Sequence, residues 1–353
     1  MHRRTVAQID LAAIRDNYAV AAALAPDAAN IAVIKADAYG HGMLPVAEAL
    51  QGIAAAFAVA TVDEALQLRD AGIAAPILVL QGTLSAESCK VSKANNLTLM
   101  LHAPEQLPVA VEVKADVWVK VDTGMHRLGF PPGDLGSVLE QLRSAGVDVK
   151  AVCTHLSCAD EPTNQMTQRQ LDAFAACCKG VDLPTSIANS AGILAWPGSH
   201  ADWNRPGLML YGVSPFAFDV DAARALRPAM TFLAEIIAVR DIGAGESVGY
   251  GARWTAQQAA KIATVAVGYA DGYPRHAASG TPVHLNGTTA PLVGTVSMDM
   301  ITIDVTDIES AAVGDRVELW GSNLPINEVA ASAGTIGYEL MTRVTRRVPR
   351  IYV

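Results

Sequence analysis

The chain has 353 residues, a formal net charge of −9 and a hydrophobic fraction of 51%, with its apolar stretches cut short by Gly, Pro, Asp and Lys. The acidic balance argues against a nucleic-acid partner, which selects a basic footprint, and no run approaches the roughly 20 apolar residues of a membrane span. The opening from Met1 to Asp10 is charged, with no apolar core or cleavage site after it, so it does not read as a signal peptide and the expected location is cytoplasmic.

From the N-terminus, short apolar runs alternate with longer amphipathic stretches. The runs fall at 31–34, 57–60, 77–80, 97–101, 117–121, 151–154 and 186–188, with a weaker eighth at 208–210. Helix-like stretches lie between them at 10–24, 44–49, 63–71 and 134–145. Leu44, Ala47, Glu48 and Leu50 have helical spacing, and Gly52 follows as a stop signal. Thr61 stands as a candidate N-cap with Glu64 at capping-box spacing. Strands that are apolar throughout belong to parallel sheets covered on both faces. Eight such alternations predict a (β/α)8 barrel of the TIM type, with a doubly wound open sheet as the alternative. Beyond about residue 225 the texture changes. Segments 231–240, 260–268, 283–286, 291–296, 300–305 and 316–320 read as strands, separated by turns such as Ile242-Gly243-Ala244-Gly245 and Asn286-Gly287. The predicted division is a barrel over residues 1–225 and a β-rich domain over residues 226–353. A chain of this length suits one large unit and a smaller one.

Chemistry enters at the strand ends. Lys35 closes the first apolar run, in Ile34-Lys35-Ala36-Asp37-Ala38-Tyr39-Gly40-His41-Gly42, and in a barrel the C-terminal end of a strand faces the active site. A lysine with its stem in apolar surroundings loses its proton more easily and forms a Schiff base with a carbonyl; the alternative is a lysine that only caps the strand. His41, between two glycines, reads as structural. At the seventh and eighth strand ends, Ala188-Asn189-Ser190-Ala191-Gly192 and Arg205-Pro206-Gly207-Leu208 supply a hydroxyl and backbone amides where barrels commonly bind phosphate. The same residues also serve ordinary turns. A phosphorylated cofactor anchored there and reaching Lys35 describes a pyridoxal-phosphate site. The five cysteines have no CxxC spacing, so Cys153/Cys158 and Cys177-Cys178 read as incidental thiols and no metal centre is expected.

The segment around Lys35 resembles the cofactor-lysine motif of the alanine racemases. Val119-Lys120-Val121-Asp122-Thr123-Gly124-Met125-His126-Arg127-Leu128-Gly129-Phe130 is similar to their second block. Asn189-Ser190 with Arg205-Pro206-Gly207, Gly268-Tyr269-Ala270-Asp271-Gly272, Ser297-Met298-Asp299 and Gly337-Tyr338-Glu339 follow in the family's order, over nearly the whole chain. The resemblance implies pyridoxal phosphate as cofactor, interconversion of L- and D-alanine, and a homodimer with shared active sites and no nucleic-acid or membrane partner. It implies Lys35 as cofactor lysine and one base, and Tyr269, from the other subunit, as the base on the opposite face. A phenol works as a base at neutral pH only where cations stabilise its phenolate, and His155 with Arg205 is the implied pairing. Arg205 would face the cofactor's ring nitrogen. Tyr39, Asn189, Ser190, Gly207, Leu208 and Tyr338 would hold the cofactor. Arg127 would pair with the substrate carboxylate or the cofactor phenolate, Met298 with Tyr269 would narrow the pocket, and Lys120 matches a lysine carbamylated in some members. His126 receives no role, and Asp271 and Asp299 read as structural or orienting. The competing readings are a racemase of broader specificity, such as one acting on serine, a fold-related decarboxylase, and a non-catalytic pyridoxal-phosphate-binding protein.

Overall fold

The computed structural model describes residues 4–353. After β1 (Val6–Ile9), the helix Leu11–Leu24 is capped by Asp10, whose Oδ1 accepts from Ala13 N at 2.8 Å. Eight parallel strands then close into a barrel: β2 (Ala29–Val33), β3 (Ala56–Val59), β4 (Ile77–Val79), β5 (Leu97–Leu101), β6 (Val117–Lys120), β7 (Val149–Cys153), β8 (Thr185–Ser186) and β9 (Trp203–Asn204). Closure comes from Ala29 pairing with Trp203, which excludes the open doubly wound sheet. β3 and β6 are buried at every position, because side chains fill the barrel inside and helices cover it outside. The helix Val62–Asp70 starts with the capping box expected of Thr61 and Glu64.

The eighth strand is not where the sequence suggests. Residues 208–210 lie in a tight helical turn, Leu208–Tyr211, and the barrel is completed by Trp203–Asn204. All of Leu208–Tyr211 is buried, so an apolar run there reports burial and not strand. A two-residue strand leaves no periodic signal of its own.

The second unit is built on β10 (Met230–Ile242), whose alternating burial marks a sheet with one covered face. After the ribbon of β11 (Ser247–Val248) and β12 (Trp254–Thr255) come β13 (Ala260–Val265), β14 (Pro282–Leu285), β15 (Thr288–Pro291), β16 (Ile301–Asp304), β17 (Arg316–Trp320) and β18 (Arg350–Tyr352). The sheet runs β15-β14-β17-β10-β1-β18, with β13 and β16 continuing from β10. Asn286-Gly287 turns the β14–β15 hairpin with both residues at positive φ, as this dipeptide favours. The expected strand at 291–296 shrinks to the end of β15 and one bridge, Leu292 to Ile303. β1 pairs with β10 and β18, so the first strand of the chain belongs to the second sheet and not to the barrel. The two units therefore interlock through both ends of the chain. Buried Asn17 fixes their junction: Nδ2 donates to Leu210 O (3.0 Å) and Arg227 O (2.8 Å), and Oδ1 accepts from Arg227 N (2.8 Å).

Candidate active site

The C-terminal ends of the barrel strands open into a cavity of about 750 Å³. Lys35, Lys120, Arg127 and Arg205 line it, with Glu339 the one carboxylate among the described lining residues. Tyr39, His155, Asn189, Ser190, Gly207, Leu208 and Tyr338, which the sequence also singled out, line it with them. Leu80, Gln81 and Met100 form further wall that it missed, since uncharged residues at a strand end look like core.

Lys35 follows β2 and begins an unusual turn. Residues 36–39 all have φ between 52° and 54°, a left-handed conformation in four consecutive non-glycine residues. Such residues cost roughly 1–2 kcal/mol each, so the turn needs external support. Glu64 supplies part of it: Oε1 accepts from Ala36 N and Oε2 from Ala60 N, each at 2.7 Å. One carboxylate thereby ties the end of β2 to the end of β3 beside Lys35. Asp37 Oδ1 accepts from Met43 N at 2.8 Å. His41 is buried against the Tyr211 ring (4.5 Å between centroids), and its Nδ1 lies 3.0 Å from Ala38 O. Burial drives its pKa down to about 4, so the ring is neutral and its Nδ1–H donates to the turn. The left-handed sense carries Tyr39 to stack on Tyr211 at 4.8 Å, close to Tyr338 at 6.0 Å. Burial lowers the pKa of Lys35, and the charge of Arg127 adds to the effect. Its amine is thus more readily neutral than an exposed lysine's.

The opposite wall is rich in hydrogen-bond donors. Asn189 caps the helix Ser190–Ala195 by accepting from Gly192 N at 3.0 Å. Ser190 Oγ accepts from Gly207 N (2.9 Å) and Met209 N (3.2 Å), which frees its own O–H to donate. A Cβ at Gly207 would lie 2.8 Å from the Tyr39 hydroxyl, so a larger residue there would displace that ring's end. Buried Arg205 donates from Nη1 to Ser186 Oγ and from Nη2 to Thr154 O (2.6 Å) and Ile187 O (3.1 Å). Its Nε–H has no acceptor among the described residues. Nη2 also lies 3.4 Å from His155 Nδ1. A guanidinium only donates, so Nδ1 is the acceptor and the neutral imidazole carries its proton on Nε2. Burial, then the charge of Arg205, holds the pKa of His155 well below the usual value and keeps the ring neutral.

Lys120 ends β6 and is buried, and while its carbonyl accepts from Phe130 N at 2.9 Å, its Nζ has no hydrogen-bond or ion-pair partner among the described residues. Its pKa is lowered by burial, with Arg127 and Arg205 adding repulsion. Asp122 shapes the following loop by accepting from Gly124 N (3.0 Å), Met125 N (3.1 Å) and His126 N (3.0 Å), which delivers Arg127 to the cavity. His126 pairs with Asp122 on the exposed side.

Tyr269 and Met298 are absent from this cavity. They stand on the second unit, 36% and 53% exposed, on two loops zipped together by Tyr269 N to Ser297 O (3.1 Å) and Ala270 N to Met298 O (3.0 Å). Arg347 clamps both loops through Asp271 (3.2 Å) and Asp299 (2.7 Å). Those carboxylates are therefore committed to structure. One chain assembles the lysine, the arginines and the donor-rich wall, and presents a tyrosine elsewhere.

Two family descriptions tile the chain: alanine racemase, N-terminal domain, over residues 9–215, and alanine racemase, C-terminal domain, over residues 229–352. The chain belongs to the alanine racemase family. It is 48% identical over 355 residues to the alanine racemase of Alteromonas mediterranea, covering 99% of each chain. The crystal structure of the biosynthetic alanine racemase from Pseudomonas aeruginosa superposes with a TM-score of 0.96 at 45% identity, covering 99% of each chain. The Bartonella henselae alanine racemase, solved with covalently bound pyridoxal phosphate, superposes with a TM-score of 0.92 at 30% identity and the same coverage. The family fold of closed barrel and β-rich second unit is the one described above. No helix of the described racemase chain is long and apolar enough to cross a membrane.

Proposed function

We propose that this alanine racemase works with two bases, Lys35 in the barrel cavity and Tyr269 of the partner subunit, on opposite faces of the substrate's α-carbon. The carrying observation is their separation: Lys35 lines the cavity, while Tyr269 is displayed on the outside of the second unit of the same chain. Inversion requires that a proton leave one face and return on the other, and a second copy of the chain supplies the missing face.

The residues present suit pyridoxal phosphate. The Ser190 O–H, the Tyr39 hydroxyl and the backbone around Gly207 and Leu208 offer neutral donors to acceptor-only phosphate oxygens, and Gly207 leaves room for them. The spare Nε–H of Arg205 suits a ring nitrogen that accepts. When bound, the cofactor supplies the electron sink that loosens the α-proton. Lys35 Nζ, its ammonium disfavoured by burial, takes or returns that proton on one face. Tyr269 Oη does so on the other, steadied by the Nε2–H of His155. Arg205 stays protonated and has no acceptor atom, so it offers a hydrogen bond without handing over a full proton. That keeps the sink weak and favours return of the proton to the α-carbon. Arg127 binds the substrate carboxylate with its planar fork, and Met298 of the partner subunit limits the side chain to a methyl.

Lys120 fits the carbamate reading. Its neutral amine, favoured by burial and by two arginines, attacks carbon dioxide, and loss of the amine proton leaves an anion that pairs with Arg127. An intact-mass spectrum in bicarbonate should show the mass of one added CO2, absent from Lys120→Ala; an unmodified amine in native protein would remove this role.

The deciding experiment incubates the cofactor-loaded protein with L-alanine, L-serine and L-lysine separately in heavy water. Fast α-deuteration with D-alanine accumulating, and little reaction of lysine, is expected. Comparable inversion of serine would point to a broader racemase, and no exchange with any of the three would point to a non-catalytic binding protein.

A further inference from the structure

Asp37, His41 and Glu64 supply only part of the support that the left-handed turn needs, and another part lies at the far end of the chain. Arg350, on β18, donates from Nε to Gly40 O at 3.1 Å, from Nη1 to Thr345 O (2.7 Å) and Val348 O (2.9 Å), and from Nη2 to Val344 O (2.7 Å). It forms no ion pair among the described residues, so its guanidinium is spent on four backbone carbonyls. Gly40 is the residue that closes the turn, with φ +84° and its N–H bonded to Ala36 O at 3.1 Å. A Cβ at Gly40 would overlap Met341 O, and one at Gly42 would overlap the Tyr352 hydroxyl. The last helix and the last strand of the chain are therefore packed directly on the turn that separates Lys35 from Tyr39.

We propose that Arg350 is a positioning residue for the cofactor end of the cavity, fixing the left-handed turn that sets Lys35 and Tyr39. The second unit then serves its own chain's site in cis as well as offering Tyr269 to the partner. Resting on the pyridoxal-phosphate reading of the cavity, the inference adds a residue that touches neither cofactor nor substrate. A planar fork joins Gly40 to the 344–348 segment in one geometry, and a lysine ammonium at the same place cannot reach both. Without the fork, Gly40 O loses its partner, the turn relaxes from its strained basin, and the Tyr39 hydroxyl leaves the Gly207 wall.

The test compares native protein with Arg350→Ala and Arg350→Lys. Titration of cofactor-free protein with pyridoxal phosphate should give a Kd raised about 10- to 100-fold in Arg350→Ala and by a smaller factor in Arg350→Lys. At saturating cofactor, KM for alanine should stay near native, because Arg127 and Met298 lie off this turn, while kcat falls. Amide hydrogen exchange in the cofactor-free protein should accelerate at Gly40, His41 and Gly42, whose N–H groups close the turn onto Ala36 O, Ala38 O and Asp37 O. Native Kd and native exchange at those amides would overturn the proposal. So would a general rise in exchange across β10 and β17 with Kd unchanged, which is the signature of lost stability alone. If Arg350→Ala does not fold, Arg350→Lys is judged by the same criteria. If native protein fails to bind pyridoxal phosphate, the cofactor reading falls, while the exchange comparison still decides whether Arg350 holds the turn.

Discussion

Tyr269→Phe should lower alanine racemisation by about 10²- to 10⁴-fold, the span typical of a positioned general base, with fold and cofactor binding near native. The substitution removes one oxygen from a partly exposed ring whose hydroxyl has no hydrogen-bond partner among the described residues of its own chain, so little stability rests on it. The loop that carries it is held by backbone contacts to Ser297 and Met298 and by the Arg347 clamp, none of which involve the hydroxyl. What disappears is the acceptor on one face of the α-carbon. Heavy-water exchange should then persist from one enantiomer, through Lys35, while inversion is lost. Measuring α-deuterium together with enantiomer composition separates the two effects, and native-like inversion in the variant would remove Tyr269 from the mechanism.

The parts of this molecule that the sequence discloses are those where one residue type carries both a structural and a chemical signal. Apolar runs without alternation mark β2 to β7 because a barrel strand is covered on both faces. Lys35, Ser190 and Arg205 stand out because polar groups end such runs or follow them. Trp203–Asn204, only two residues long, and Val6–Ile9 stay hidden because they owe their strand character to distant partners: Ala29, Met230 and the C-terminal residues 350–352. The turn at 36–39 is hidden for a different reason. Ala, Asp, Ala and Tyr do not announce four consecutive left-handed residues, a conformation supported by the neighbouring His41 and, from distant parts of the chain, by Glu64 and Arg350. Glu64 shows this double use: its capping-box spacing is legible, but its second bond to Ala36 N is not. Tyr269 came from family resemblance alone, because an exposed residue on a turn of a different unit has no local pattern that links it to Lys35.

Hybrid dimers of Lys35→Ala and Tyr269→Phe subunits should recover turnover that neither homodimer has. In a dimer with shared sites, one site of the hybrid collects both defects and the other collects none. Random assortment of equal amounts makes half the dimers hybrid with one good site each, so recovery should approach about a quarter of native specific activity. The geometry motivates this: within one chain, Tyr269 sits on the second unit outside the cavity that Lys35 lines, and Arg347 with the zipped loops keeps it there. Were both bases drawn from one chain, every site in every hybrid would carry one defect, and co-expressed or co-refolded mixtures would stay inactive. An inactive mixture with verified hybrid dimers would then require the 268–272 loop to leave its clamp and reach the cavity of its own chain. Substituting Arg347 should speed such a movement and would raise turnover under that arrangement, whereas under the shared-site arrangement loosening Tyr269 can only lower it.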